Sequence, residues 1–175
     1  MPLFQISRET TRLWRLPLDR RELKLALGGF GRTLTERGCV LPERIALRLA
    51  DDAHAAGANA RCMACSGPTN ILTFPGDASL PGELLLSLDT WERECRFYHQ
   101  PPLRHLLRLL AHGMAHMAGL DHSPEMTSLE QACLRAWNTN HENTRSAPAQ
   151  RGKSGTMHSP KPEFRPLPPG APLRR

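Results

Sequence analysis

The hydrophobic positions of this chain recur with two periods. Between Asp19 and about Arg37, Leu23, Ala26, Leu27, Phe30 and Leu34 come back three and four residues apart, which puts them on one face of a helix. Asp19 can cap its start and Gly38 suits its stop. From Glu43 to Leu49 the period becomes two, with Ile45, Leu47 and Leu49 on one side, as in a half-buried strand. Asp51-Asp52 leads into a short helix to about Gly57. Ile71-Leu72-Thr73-Phe74 reads as a buried strand closed by Pro75-Gly76, and Pro81-Gly82 introduces a second from Glu83 to Leu88. Pro101 to about Asn138 is helical again. Helices mixed with adjacent strands predict an α+β domain.

The pattern fades after residue 140. His141 to Arg175 holds 7 prolines in 35 residues and few aliphatic side chains. Such a stretch buries too little apolar surface to offset the entropy of ordering it, so a body of 1–140 and a disordered, proline-rich tail of 141–175 are expected. Charge follows the same division. The chain carries 23 basic and 17 acidic residues, a net +6; the tail has seven basic and two acidic residues, or +5, leaving the body at 16 − 15 = +1. Net charge therefore does not mark the body as a nucleic-acid binder. Arg15, Arg20, Arg21 and Lys24 make either a solvated helix face or an RNA track.

No membrane partner is expected, because the most apolar stretch, Leu106 to Leu120, is broken by Arg108, His112 and His116. The charged N-terminus lacks the apolar core of a secretory signal, and five cysteines are an odd number, so reduced thiols in the cytoplasm are expected. Cys62 and Cys65 form a single Cys-x-x-Cys without a second pair, which reads as small loop residues. Trp14, Trp91 and Trp137 read as packing residues.

The chemistry concentrates in Pro102 to His122. On a helical wheel Leu103, Leu106, Leu107, Leu110, Met114 and Met117 share one side; Arg104, His105, Arg108, His112 and His116 share another. His112 and His116, four apart, project from consecutive turns. Gly119 suits a left-handed helix stop, and the chain returns with His122. Three imidazoles from a helix and a turn make a tripod that leaves a fourth position open, as catalytic zinc sites do. His105 is one turn off this cluster and reads as a solvated or capped side chain.

The spacing His-x3-His-x2-Gly-x2-His is shared with the metzincin metallopeptidases, whose glutamate base follows the first histidine. Here that position is Gly113, which accepts no proton. Asp121 is either an orienting or acid–base partner, or a turn residue.

His112-Gly-Met-Ala-His116-Met-Ala-Gly119-Leu-Asp121-His122 resembles the signature of the YbeY family of bacterial single-strand-specific endoribonucleases. Gly67-Pro-Thr-Asn-Ile-Leu-Thr-Phe-Pro75 and Gly82-Glu-Leu-Leu-Leu-Ser87 resemble two of its strands, and Glu125-Met126 with Leu129-Glu130 its acidic closing helix. The resemblance covers roughly residues 40–135. It implies a small mixed sheet flanked by helices, one Zn2+ on His112, His116 and His122, and no nucleotide cofactor. It implies endoribonuclease activity in 3′-end maturation of 16S rRNA and in ribosome quality control, with rRNA precursor, the small subunit or assembly factors as partners. The family places an arginine shortly before the Pro-Thr strand; that position here is Met63, with Arg61 two residues earlier, so Arg61 or Arg108 would neutralise phosphate charge. A metallopeptidase and a non-enzymatic, zinc-stabilised ribosome-assembly factor are the alternative readings.

Overall fold

The structure, a computed structural model, describes residues 1–10, 15–76 and 80–146, without the side chains from 140 onward. Four strands and five helices follow one another as β1 (Leu3–Arg8), α1 (Arg20–Glu36), β2 (Arg44–Ala50), α2 (Asp52–Met63), β3 (Ile71–Phe74), β4 (Gly82–Ser87), α3 (Leu88–Phe97), α4 (Pro102–Met117) and α5 (Pro124–Ser146). The strands form one mixed sheet in the order β1-β2-β4-β3, with β1, β2 and β4 parallel and β3 antiparallel at the edge. The fold is α+β, as the sequence leads one to expect.

The two-residue period of β2 separates the faces of the sheet. Ile45, Leu47 and Leu49, with Leu84 and Leu86 of β4, join Leu23, Leu27, Phe30 and Leu34 of α1 and Leu106, Leu110 and Met114 of α4 in one large core. Each such fully buried side chain contributes roughly 1.5–3 kcal/mol. The other face holds a smaller cluster, Ala50, Ala55, Ala58, Leu72 and Leu85, under α2. Helix α1 starts on a full capping box: Asp19 Oδ1 accepts from Glu22 N–H and Glu22 Oε2 from Asp19 N–H, both at 2.8 Å. It gives way to Gly38 at φ +86°.

Several elements differ from the sequence expectation. Strand β1 has no clear signature, because as an edge strand it buries one residue, Ile6. Helix α2 does not stop near Gly57 but runs to Met63, so Cys62 is helical; it ends at Ala64, which takes the left-handed conformation. Strand β4 stops at Ser87, and Leu88 belongs to the unforeseen α3, whose start is capped by Ser87 Oγ accepting from Thr90 N–H at 3.2 Å. The 101–138 helical region is two helices, and α5 continues to Ser146; the expected tail from 147 onward lies outside the described residues. Trp91 and Trp137 are core residues, and Trp14 is outside the described residues. Among the described residues no helix is long and apolar enough to cross a membrane.

Candidate functional site

Helix α4 is buried on almost every side. Leu106, Leu107, Leu109, Leu110, Ala111, Gly113, Met114, Ala115 and Met117 are all covered. What stays open is one strip four residues apart, with Arg104 and Arg108 exposed and His112 and His116 half-buried. Gly113 explains how the helix lies so close to the sheet. A Cβ there would stand 2.8 Å from Leu84 Cδ2 and 2.9 Å from Ile71 Cδ1, and the Gly113 carbonyl accepts from Thr73 Oγ1 at 3.2 Å. A side chain at 113 points into the sheet and has no room there.

The strip ends in the tripod. After Met117 the chain turns through Gly119 at φ +82°, with Gly119 N–H donating to the His116 carbonyl at 2.9 Å, and delivers His122 beside the helix. One nitrogen from each of His112, His116 and His122 lies within 4.8 Å of the other two. The ring centroids are 4.6, 5.2 and 4.7 Å apart.

Two of the three rings are fixed from behind. His112 Nδ1 is 2.7 Å from Glu130 Oε1 on α5, and His116 Nδ1 is 2.8 Å from the Leu120 carbonyl. A carbonyl only accepts, so His116 Nδ1 carries the proton and its Nε2 keeps a lone pair; the Glu130 carboxylate imposes the same tautomer on His112. Burial holds the His116 pKa below the ordinary range, and the neighbouring His112 and His122 add to this, while the Leu120 bond works against it. The neutral, ligating form is thus favoured. Three imidazole nitrogens converging from one side, with His122 exposed, fit a borderline cation such as Zn2+ with a position left open.

The other residues singled out in the sequence fall in different places. Arg108 is exposed one turn before His112, and its Nη2 lies 3.2 Å from His105 Nδ1. His105 is not solvated: it is 1% exposed, with Nε2 2.8 Å from Glu94 Oε2, because α3 covers this end of α4. Asp121 is exposed and bears on His116 as a nearby negative charge; the orienting contacts come from Glu130 and the Leu120 carbonyl. Arg61 is exposed in the last turn of α2, the helix on the sheet face away from α4. Cys62 and Cys65 are exposed free thiols beside it. Arg20 donates to the Ile6 carbonyl at 3.0 Å and Arg15 pairs with Glu92, so part of that basic face is engaged in structure.

Residues 20–138 match the sequence profile of the family described as Endoribonuclease YbeY. The chain is 41% identical over 145 residues to the endoribonuclease YbeY of Nitratidesulfovibrio vulgaris, covering 70% of this chain and 87% of that one. It is 33% identical over 155 residues to that of Oleidesulfovibrio alaskensis, covering 74% and 89%. A Thermotoga maritima protein known from its solution structure has a similar fold, with a TM-score of 0.55 at 19% identity over 86% of this chain and 99% of that one. The chain belongs to the endoribonuclease YbeY family.

Proposed function

We propose that the chain is a cytoplasmic, zinc-dependent endoribonuclease specific for single strands, acting in 3′-end maturation of 16S rRNA and in ribosome quality control. Family membership supports RNA cleavage. The observation that carries the metal requirement is the convergence of three histidine nitrogens within 4.8 Å, two of them on rings whose Nδ1 atoms are already engaged. Zinc held there would supply Lewis-acid polarisation of a phosphoryl oxygen.

The protein's own groups do the rest. Arg108 stands on the open strip one turn before the tripod, and no carboxylate pairs with it among the described residues, so its guanidinium is available to a phosphate. Asp121, exposed and next to His122, would relay a proton. Arg61 is the alternative phosphate ligand, and its place on the far side of the sheet makes Arg108 the stronger candidate.

Two other readings remain distinct. A metallopeptidase would need a base at position 113, and Gly113 is packed where no side chain fits. A non-enzymatic assembly factor would keep the metal for stability. Metal analysis joined to cleavage of a single-stranded RNA decides among them. The expected result is one zinc per chain and cleavage by the wild type, with both lost in His112→Ala. Cleavage that survives full chelation would overturn the metal-dependent reading. Stoichiometric zinc and RNA binding without cleavage would favour the assembly factor. Products ending in 2′,3′-cyclic phosphate would assign the attack to the RNA 2′-hydroxyl, and products with a 3′-hydroxyl and a 5′-phosphate would assign it to water.

A further inference from the structure

Beside the open strip, around the buried His105, runs a chain of polar contacts that the tripod does not use. Asn70, at the start of β3, donates from Nδ2 to both oxygens of Glu94 on α3, at 3.1 and 3.2 Å. Its amide cannot turn over freely, because Asn70 Oδ1 accepts from Ile71 N–H at 2.7 Å. Glu94 Oε2 then lies 2.8 Å from His105 Nε2, and His105 Nδ1 lies 3.2 Å from Arg108 Nη2. The proton positions follow from chemistry. A guanidinium only donates, so His105 Nδ1 is the acceptor, and its proton sits on Nε2, where it is donated to Glu94. One polar line therefore runs from β3 through α3 and α4 to an exposed cation beside the metal site.

Packing alone does not call for this arrangement. A leucine would fill a site that is 1% exposed without needing partners, whereas a buried imidazole costs free energy unless both nitrogens are satisfied. Both are, and the second partner is a surface arginine that pairs with no carboxylate among the described residues. A long arginine on an open strip otherwise samples many rotamers, and ordering it in advance lowers the entropy lost on binding.

We propose that His105 is a positioning residue: held by Glu94 and Asn70, it aims the Arg108 guanidinium at the RNA phosphate nearest the tripod. The inference rests on the RNA-cleavage reading above. It predicts that His105 acts through Arg108 and on nothing else in the site.

A double-mutant cycle tests this, read in two ways: cleavage by the zinc-loaded protein, and affinity for a fluorescent single-stranded RNA in chelator, where no cleavage occurs. His105→Leu is expected to lower kcat/KM and RNA affinity about tenfold, the scale of a lost positioning contact. Zinc content should be unchanged. His105→Gln, whose amide can still accept from Arg108 and donate to Glu94, is expected to stay within about threefold of wild type. In an Arg108→Ala background, His105→Leu should have no further effect. If His105→Leu folds poorly, Glu94→Gln, which keeps the shape of its side chain, should show the same dependence on Arg108 at smaller amplitude. Wild-type affinity and cleavage in His105→Leu overturn the proposal, and so does a tenfold loss that persists in the Arg108→Ala background. If the wild type binds RNA but never cleaves it, the cleavage reading fails while the coupling is still decided by the affinities. If it neither binds nor cleaves, both fail.

Discussion

His105 and His112 stand seven residues apart on α4, so the helix turns their side chains to nearly the same azimuth, differing by about 20°. Each has a carboxylate within hydrogen-bond reach, Glu94 for the first at 2.8 Å and Glu130 for the second at 2.7 Å. Their environments nevertheless differ. Over the first half of α4 lies α3, which closes over His105. Over the second half, the same face meets α5, which brings Glu130 to Nδ1 and leaves the His112 ring half-buried. The same residue type on the same helix face is thus an internal strut in one half and a candidate ligand in the other. What the helix packs against, not where the side chain points, decides between the two.

The largest effect should come from the open half. His112→Ala and His116→Ala are expected to abolish stoichiometric zinc binding and to lower RNA cleavage at least about 10³-fold, with removal of a metal ligand as the cause. Measured the same way, His105→Leu should leave zinc content intact, and a loss of zinc there would erase the contrast between the two halves. Next come the carboxylates. Glu130→Gln should weaken zinc affinity by about 10- to 100-fold, as removal of an orienting partner does, whereas Glu94→Gln should not change it. Competition with a chromophoric chelator reads both.

Smaller again is the helix-to-sheet contact that carries both halves. Gly113→Ala puts a methyl group into the space of Leu84 and Ile71 and should cost about 1–3 kcal/mol by urea denaturation. Gly113→Glu should cost more and yield no peptidase activity, since its carboxylate would be directed into the sheet.

The smallest effect concerns how α3 is held over His105. Asp52 accepts from Ser87 Oγ at 2.7 Å, Thr90 Oγ1 at 2.7 Å and Arg93 Nη1 at 2.6 Å, which ties α2 to the first turns of α3. Burial pushes its carboxyl up, but these hydrogen bonds and the Arg93 charge outweigh it and leave the pKa lowered. A carboxylate whose folded pKa is depressed contributes stability above its ordinary pKa and loses it as pH falls through the lowered value. The stability of the wild type should therefore drop below about pH 4, by about 1 kcal/mol or less for this partly exposed site. Asp52→Asn should remove that part of the acid slope. An unchanged slope would mean that the network does not fasten α3.

Much of this site was legible along the chain. The i, i+4 histidines, the glycine stop and His122 gave the tripod, and Asp19 with its downstream leucines gave α1. Asp121 drew attention because it adjoins His122, yet the ring-orienting groups are Glu130, eighteen residues beyond His112, and a backbone carbonyl. Neither leaves a mark at fixed spacing. His105 reads along the chain as a solvated or capped side chain, and its link to Glu94 and Asn70 was missed for the same reason: the three come from separate parts of the chain. Helix α3 escaped notice because it follows β4 directly, without a turn between Ser87 and Leu88.

Local geometry is a property of sequence, since helix and strand periods fix which residues share a face and how far apart they stand. That was enough to set three imidazoles together and to bar a side chain from serving as base at Gly113. Cover is a property of the fold. Which stretch of α4 lies under α3, which carboxylate reaches each ring, and which sheet face carries Arg61 depend on contacts between elements far apart in the chain. Those contacts are set by the summed burial of the whole core, so only the tertiary structure decided that one histidine is buried under a helix and another is left half-open as a candidate ligand.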